Sequence, residues 1–133
     1  MKKITGLIII VFLSLTGRAQ RITPADLVGT WNLADTSAGK MIYTFTDSIH
    51  VQLKYVSTVT IIQNGTYLIE KVGDFDRVQM IMEENGQKMY NYFLMKLANK
   101  DLLKLQVDNL TYPPKWAAEN ANSTATLVRK RSN

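Results

Sequence analysis

Asn85-Gly86, set between the alternating runs RVQMIMEE and QKMYNYFLMKL, constrains the fold of this chain more than any other feature. A two-residue type I′ turn needs positive φ at both central positions, and Asn followed by Gly is the pair that accepts this at least cost. That turn fixes the register. Glu84 opposes Gln87, Glu83 opposes Lys88, Met82 opposes Met89, Met80 opposes Asn91 and Val78 opposes Phe93. Because strand side chains alternate between faces, Val78, Met80, Met82, Met89, Asn91, Phe93 and Met95 share one face, which we assign to the core. Gln79, Ile81, Glu83, Lys88, Tyr90, Tyr92, Leu94 and Lys96 share the other, with Glu83 and Lys88 as an opposite-charge cross-strand pair.

The same period of two recurs along most of the chain. KMIYTFT places Met41, Tyr43 and Phe45 on one face, and IHVQLKY does so for Ile49, Val51, Leu53 and Tyr55. A two-residue loop between these runs would mix the faces, so the pattern predicts an odd loop pairing Phe45 with Val51, Tyr43 with Leu53 and Met41 with Tyr55. A second Asn-Gly, at 64 and 65, predicts a hairpin from VTIIQ to TYLIEK. Residues 56–63 read equally as a separate strand or a loop. ANKD turns into LLKLQV, and TATLVRK reads as the closing strand. Between those two, Pro113 and Pro114 interrupt strand pairing and KWAAEN is expected to form one or two helical turns. TPADL, ahead of the first strand, reads as a short capped turn led by Thr23. The expected fold is all-β: an antiparallel up-and-down barrel of eight to nine strands, closed so that no edge stays unpaired, with a short helical segment before the last strand.

Two lysines, an apolar run from Ile4 to Leu15 and small residues at Gly17 and Ala19 form the pattern of a secretory signal peptide over residues 1–19. Twelve apolar residues fall short of the roughly 20 needed to cross a bilayer as a helix. The expectation is therefore a secreted or periplasmic protein, not inserted in a membrane after cleavage, whose one domain spans 20–133. The chain has no cysteine, which excludes a disulfide framework and a lipid-anchored lipoprotein. Lys2, Lys3 and Arg18 leave with the signal, so 13 basic residues face 11 acidic ones. Three of those 13 are the terminal Arg129, Lys130 and Arg131, read as a solvated tail on the last strand. No aromatic RNA-binding motif, zinc spacing or helix-turn-helix pattern accompanies them, and no nucleic-acid partner is expected.

LVGTWNL, residues 27 to 33, carries Gly29-Thr30-Trp31. This resembles the GxW signature on the first strand of lipocalins and their calycin relatives, and it is similar to the opening of the intracellular fatty-acid-binding proteins. The resemblance covers strand order and both ends of the mature chain, and it is strongest to bacterial secreted proteins with lipocalin-like domains. It implies that Trp31 closes one barrel end beneath an arginine from the last strand, for which Arg129 is the candidate, while Gly29 lets the chain pass close. A guanidinium over an indole is a sound lid through cation–π and stacking contact. The other lipocalin motifs are not recognisable. ADTSAGK leaves no room for the helix pair of the intracellular branch.

The interior of an eight-stranded barrel is either filled by side chains or holds one small ligand. The expected inward set of Tyr43, Phe45, Tyr55, Met80, Met82, Met89, Asn91, Phe93 and Met95 supports both outcomes. Flexible thioethers can line an adaptable apolar pocket for a small hydrophobic ligand, with Asn91 and a tyrosine hydroxyl fixing its polar end. Equally, they can close-pack. The alternative function is a protein contact on the outer face of the 77–97 hairpin, through Ile81, Tyr90, Tyr92 and Leu94, unless Tyr112 and Trp116 fold over it. No enzyme is expected. His50, the sole histidine, sits on a polar strand face, and Asp74 with Asp76 makes no metal cage. No nucleophile elbow or phosphate loop is present, and no cofactor or metal is expected.

Overall fold

A computed structural model describes residues 21–33 and 39–131, and these form a closed antiparallel barrel. The proposed signal peptide and its cleavage point lie outside the described residues. A single helical turn, α1 (Pro24–Leu27), precedes the eight strands β1 (Gly29–Leu33), β2 (Lys40–Phe45), β3 (His50–Val56), β4 (Thr60–Val72), β5 (Phe75–Glu84), β6 (Gln87–Asn99), β7 (Leu102–Val107) and β8 (Ala125–Arg129). Each strand pairs with its sequence neighbour, and β8 returns to β1. The count is eight because Val56 ends one strand and Thr60 begins the next.

Both expected registers are present. Asn85 and Gly86 have φ of 52° and 77°, and Glu84↔Gln87 through Val78↔Phe93 pair as anticipated. Phe45↔Val51, Tyr43↔Leu53 and Met41↔Tyr55 pair across the odd loop. Asp47 makes that loop: its Oδ1 accepts from the amides of Ile49 (2.8 Å) and His50 (2.7 Å). The His50 ring and then these two amides hold the Asp47 carboxyl down at about 2.

Two sequence expectations are corrected. Asn64-Gly65 is not a turn but lies inside the 13-residue β4. A Cβ on Gly65 would stand 2.1 Å from the Ile81 carbonyl oxygen and 2.9 Å from the Met82 sulfur, so this glycine lets β5 close in where the sheet coils. Nor does KWAAEN form a helix before the last strand; residues 114–119 have no regular structure. Side chains of the sheet take the hydrogen bonds a helix would have made internally. The Gln106 amide accepts from Ala117 N (2.8 Å) and donates to Ala117 O (3.0 Å), which holds that stretch extended. The one helical turn among the described residues is α1, at the position expected for the capped TPADL, where the Thr23 amide donates to Asp26 Oδ2 (2.8 Å).

Residues 108–124 therefore form an outer strap. It leaves β7, reaches the β4–β5 turn where Pro114 packs near Gly73, and returns to β8. Trp116 stacks on Phe75 at 6.3 Å with Lys96 Nζ 4.6 Å above its ring, and Glu119 bonds Lys104 and the Trp116 indole. Leu94, expected to point outward, does so and is nonetheless buried, since Arg77 and Gln106, its neighbours across β5 and β7, both hold the strap. Tyr112 does not take part in this cover, being 82% exposed.

Lys104 and then Trp116, by hydrogen bonding to it, keep the Glu119 carboxyl below its ordinary value of 4.5. A depressed folded-state value means that this contribution is complete above the ordinary value and is lost as pH falls through the folded one. The Trp116 indole N–H resonance is expected to shift on acidification below pH 4.5 in the native chain and to stay put in Glu119→Gln. A shift of equal size in both would assign the transition to another group.

Candidate functional site

The barrel has two unlike ends. At the first, the indole of Trp31 is fully buried and donates to the carbonyl of Leu27 (2.8 Å), so α1 is pulled across the opening. Arg129 pairs directly with Trp31 across the β1–β8 seam, and its guanidinium carbon stands 4.2 Å from the ring centroid. That guanidinium donates to three carbonyls, Lys100 O (3.0 Å), Val28 O (2.7 Å) and Asp26 O, and so ties α1, β1 and the β6–β7 turn together. Gly29 has φ 134°, and a Cβ there would lie 2.7 Å from Arg129 Nη1. The glycine is needed twice, for its backbone angle and for the passage of the guanidinium. This end is a plug.

Above the plug the barrel is packed solid. Phe45, Met80, Met82 and Met95, four of the nine expected ligand-lining residues, are at most 2% exposed and join Val51, Val78, Leu103, Leu105 and Leu127 in one cluster. Tyr67 meets Phe45 edge-on at 4.9 Å and sends its hydroxyl to Asp47 O (2.6 Å). Phe45, Met80, Met82 and Met95 belong to the core.

The second end has no such cover among the described residues. Tyr43, Tyr55 and Phe93 are half-buried there, with Tyr43 and Phe93 packed on top of the core. Met89 and Asn91, expected in the interior, keep the inward side of β6 but are exposed, Met89 at 39%. The reason is strand length. β6 begins pairing with β7 only at Phe93, so the β5–β6 hairpin stands beyond the wall that β7 and β8 provide. Ile61 and Val107, also on inward positions, are 48% and 69% exposed at this rim. A pocket of about 650 Å³ opens beside it, lined by Leu33, Phe93, Leu105, Val107 and Ala125 on inward positions, by Lys104 and Thr126 on outward ones, and by the end of the strap.

Burial raises the Tyr43 hydroxyl above its usual value, so it is a neutral donor throughout the physiological range. Tyr55 turns its hydroxyl toward Gly39, where an added Cβ would be 3.0 Å away. Asn91 is also not the sole polar residue on the inner face. Gln63 shares it at the rim, donating to Glu84 Oε2 (3.0 Å), and Asp76 shares it near the plug, where Oδ2 accepts from Ile22 N (3.1 Å). The alternation of β4, β5 and β7 places Ile61, Gln63, Asp76 and Val107 on this face, a signal the sequence carries. Among the described residues no group of His, Asp and Glu is arranged to hold a metal.

Comparison with known proteins places no relative beside this chain. No family model matches it, and no curated protein or solved structure does either.

Proposed function

We propose that this protein is an exported carrier that holds a small hydrophobic ligand in the open end of the barrel. One observation carries the reading: apolar side chains on inward positions, Met89, Ile61 and Val107, remain exposed at one rim while the opposite end is sealed. Exposed apolar surface gathered around a concavity is the usual mark of a ligand site. The cavity is shallow, because Phe45, Met80, Met82 and Met95 fill the lower half. A ligand then rests on Leu33, Phe93 and Val107, which line the pocket beside this rim. The arrangement of Trp31 under Arg129 in a closed eight-stranded barrel supports placement among the lipocalin-like proteins. The reading is of binding without catalysis.

An apolar fluorescent dye or a medium-chain fatty acid is expected to bind saturably at one site. Met89→Glu with Val107→Glu, both at exposed positions, should weaken this at least tenfold, about 1.4 kcal/mol, without changing the far-ultraviolet circular dichroism. Equal affinity in native and doubly substituted protein would remove the mouth as the site.

A second reading, a protein contact on the outer face of β4–β6, is favoured by one feature: Leu68 and Tyr90 are 56% and 54% exposed there. The area is smaller than the sequence implies, since Leu94 is under the strap and Tyr92 is engaged by Gln79 (3.1 Å) and by Arg77 above its ring. Loss of an assembled form in Tyr90→Ser, read as elution volume, would support it.

A further inference from the structure

The basic C-terminal run is not a free tail. Lys130 N donates to Thr30 O (2.8 Å), Arg129 N donates to Asp101 O (2.9 Å), and the Arg131 guanidinium pairs with Asp101 Oδ2 (3.1 Å). These bonds fold the run against β1 and the β6–β7 turn. They border a concave, solvent-open surface of about 730 Å³ lined by Gly29, Thr30, Lys100, Asp101, Arg129, Lys130 and Arg131. Four cationic side chains meet one carboxylate there, and Asp101 is already shared between Arg131 and Arg129, whose Nε lies 3.5 Å away. Outside this patch the chain from residue 20 onward carries nine basic against ten acidic side chains. The positive excess of the mature protein is therefore gathered at this one place on the plugged end.

We propose that this concave surface binds a phosphate group, with Lys100, Lys130 and Arg131 as its ligands and Asp101 holding Arg131 in position. A carboxylate is satisfied by a single bidentate guanidinium, whereas phosphate presents oxygens on several sides and suits cations arriving from separate strands and turns. Lys100 comes from the β6–β7 turn, and Lys130 and Arg131 from just beyond β8. Arg129 adds fixed charge beneath them, its donors already committed to carbonyls, so it raises the local potential while keeping the plug shut. The recognised chemistry is the phosphate itself, whether on a soluble compound or on the headgroup of a lipid.

The test uses the full mature chain and two probes. Inorganic phosphate is expected to shift the amide resonances of Thr30, Lys100 and Lys130, and vesicles of phosphatidylglycerol, unlike those of phosphatidylcholine, to co-sediment with the protein. Lys100→Glu with Lys130→Glu and Arg131→Glu should weaken either effect at least tenfold, and Lys130→Arg should retain it. Raising ionic strength from about 0.01 to 0.15 M, which shortens the screening length from about 30 to 8 Å, should weaken it as well. Shifts with phosphate alone identify a soluble phosphate compound as the ligand; sedimentation with phosphatidylglycerol alone identifies a lipid headgroup. Binding of neither probe, equal shifts from chloride, or undiminished binding by a triple variant that melts at the native temperature would overturn the proposal.

Discussion

Trp31→Ala is expected to destabilise the barrel by about 3–5 kcal/mol, measured as the shift in urea midpoint at constant slope. The indole is fully buried, packs in the core cluster, and through its N–H to Leu27 O is the bond that draws α1 over the barrel end. Its removal leaves a cavity and an orphaned carbonyl together. With total stabilities of about 5–15 kcal/mol, such a loss is a large fraction of what a domain of this size has. Arg129→Ala should cost roughly 2–4 kcal/mol, because three carbonyls lose a charged donor at once. Arg129→Lys should recover little of this, since one ammonium cannot reach Lys100 O, Val28 O and Asp26 O in a planar fork. The double substitution should fall short of the summed losses by about 1 kcal/mol, the coupling expected of a cation over an indole face. Strict additivity would mean that the two residues close the end independently.

Gly65→Ala is expected to cost more than about 3 kcal/mol, against roughly 1–2 kcal/mol for Gly86→Ala. The two glycines each follow an asparagine, but they are required for different reasons. Gly86 has φ 77° and open space where a Cβ would stand, so alanine there suffers backbone strain alone. At Gly65 the Cβ would stand 2.1 Å from a main-chain oxygen of β5, which no rotamer change relieves. The sheet must open between β4 and β5 next to Met82, in the packed half of the barrel. Chemical denaturation of the two variants side by side checks this. Equal losses would mean that the strands move apart freely and that Gly65 has no close-approach role.

That pair also shows where local sequence stops being informative. Asn-Gly states that a positive φ is cheap at that point, and nothing in the dipeptide states whether a turn is wanted. At 85 and 86 the flanking runs match in length and parity, so the turn forms; at 64 and 65 the strand simply continues because β3 and β5 both offer partners. KWAAEN fails in the same manner, its helical preference overridden by Gln106, Lys104 and Phe75, residues distant in sequence. Met89 and Asn91 were legible as inward by parity but not as exposed, since exposure depends on how far β7 and β8 rise on the other side of the mouth.

By itself the sequence determined the all-β barrel class, the inward faces of β2, β3, β5 and β6, and the two registers set by Asn85-Gly86 and by the Asp47 loop, while the contact of Trp31 with Arg129 was implied only by the resemblance of Gly29-Thr30-Trp31 to the lipocalin signature. The faces and registers follow from short-range causes: two-residue alternation, or a turn that admits one register. Tertiary structure alone decided that Phe45, Met80, Met82 and Met95 pack into the core while Met89 and Asn91 stay exposed, that residues 108–124 fold over Leu94, and that the terminal cations gather around Asp101. These depend on distances between segments up to about a hundred positions apart in the chain, such as Arg129 Nη1 at 2.7 Å from Val28 O, and such distances exist only once the sheet has closed.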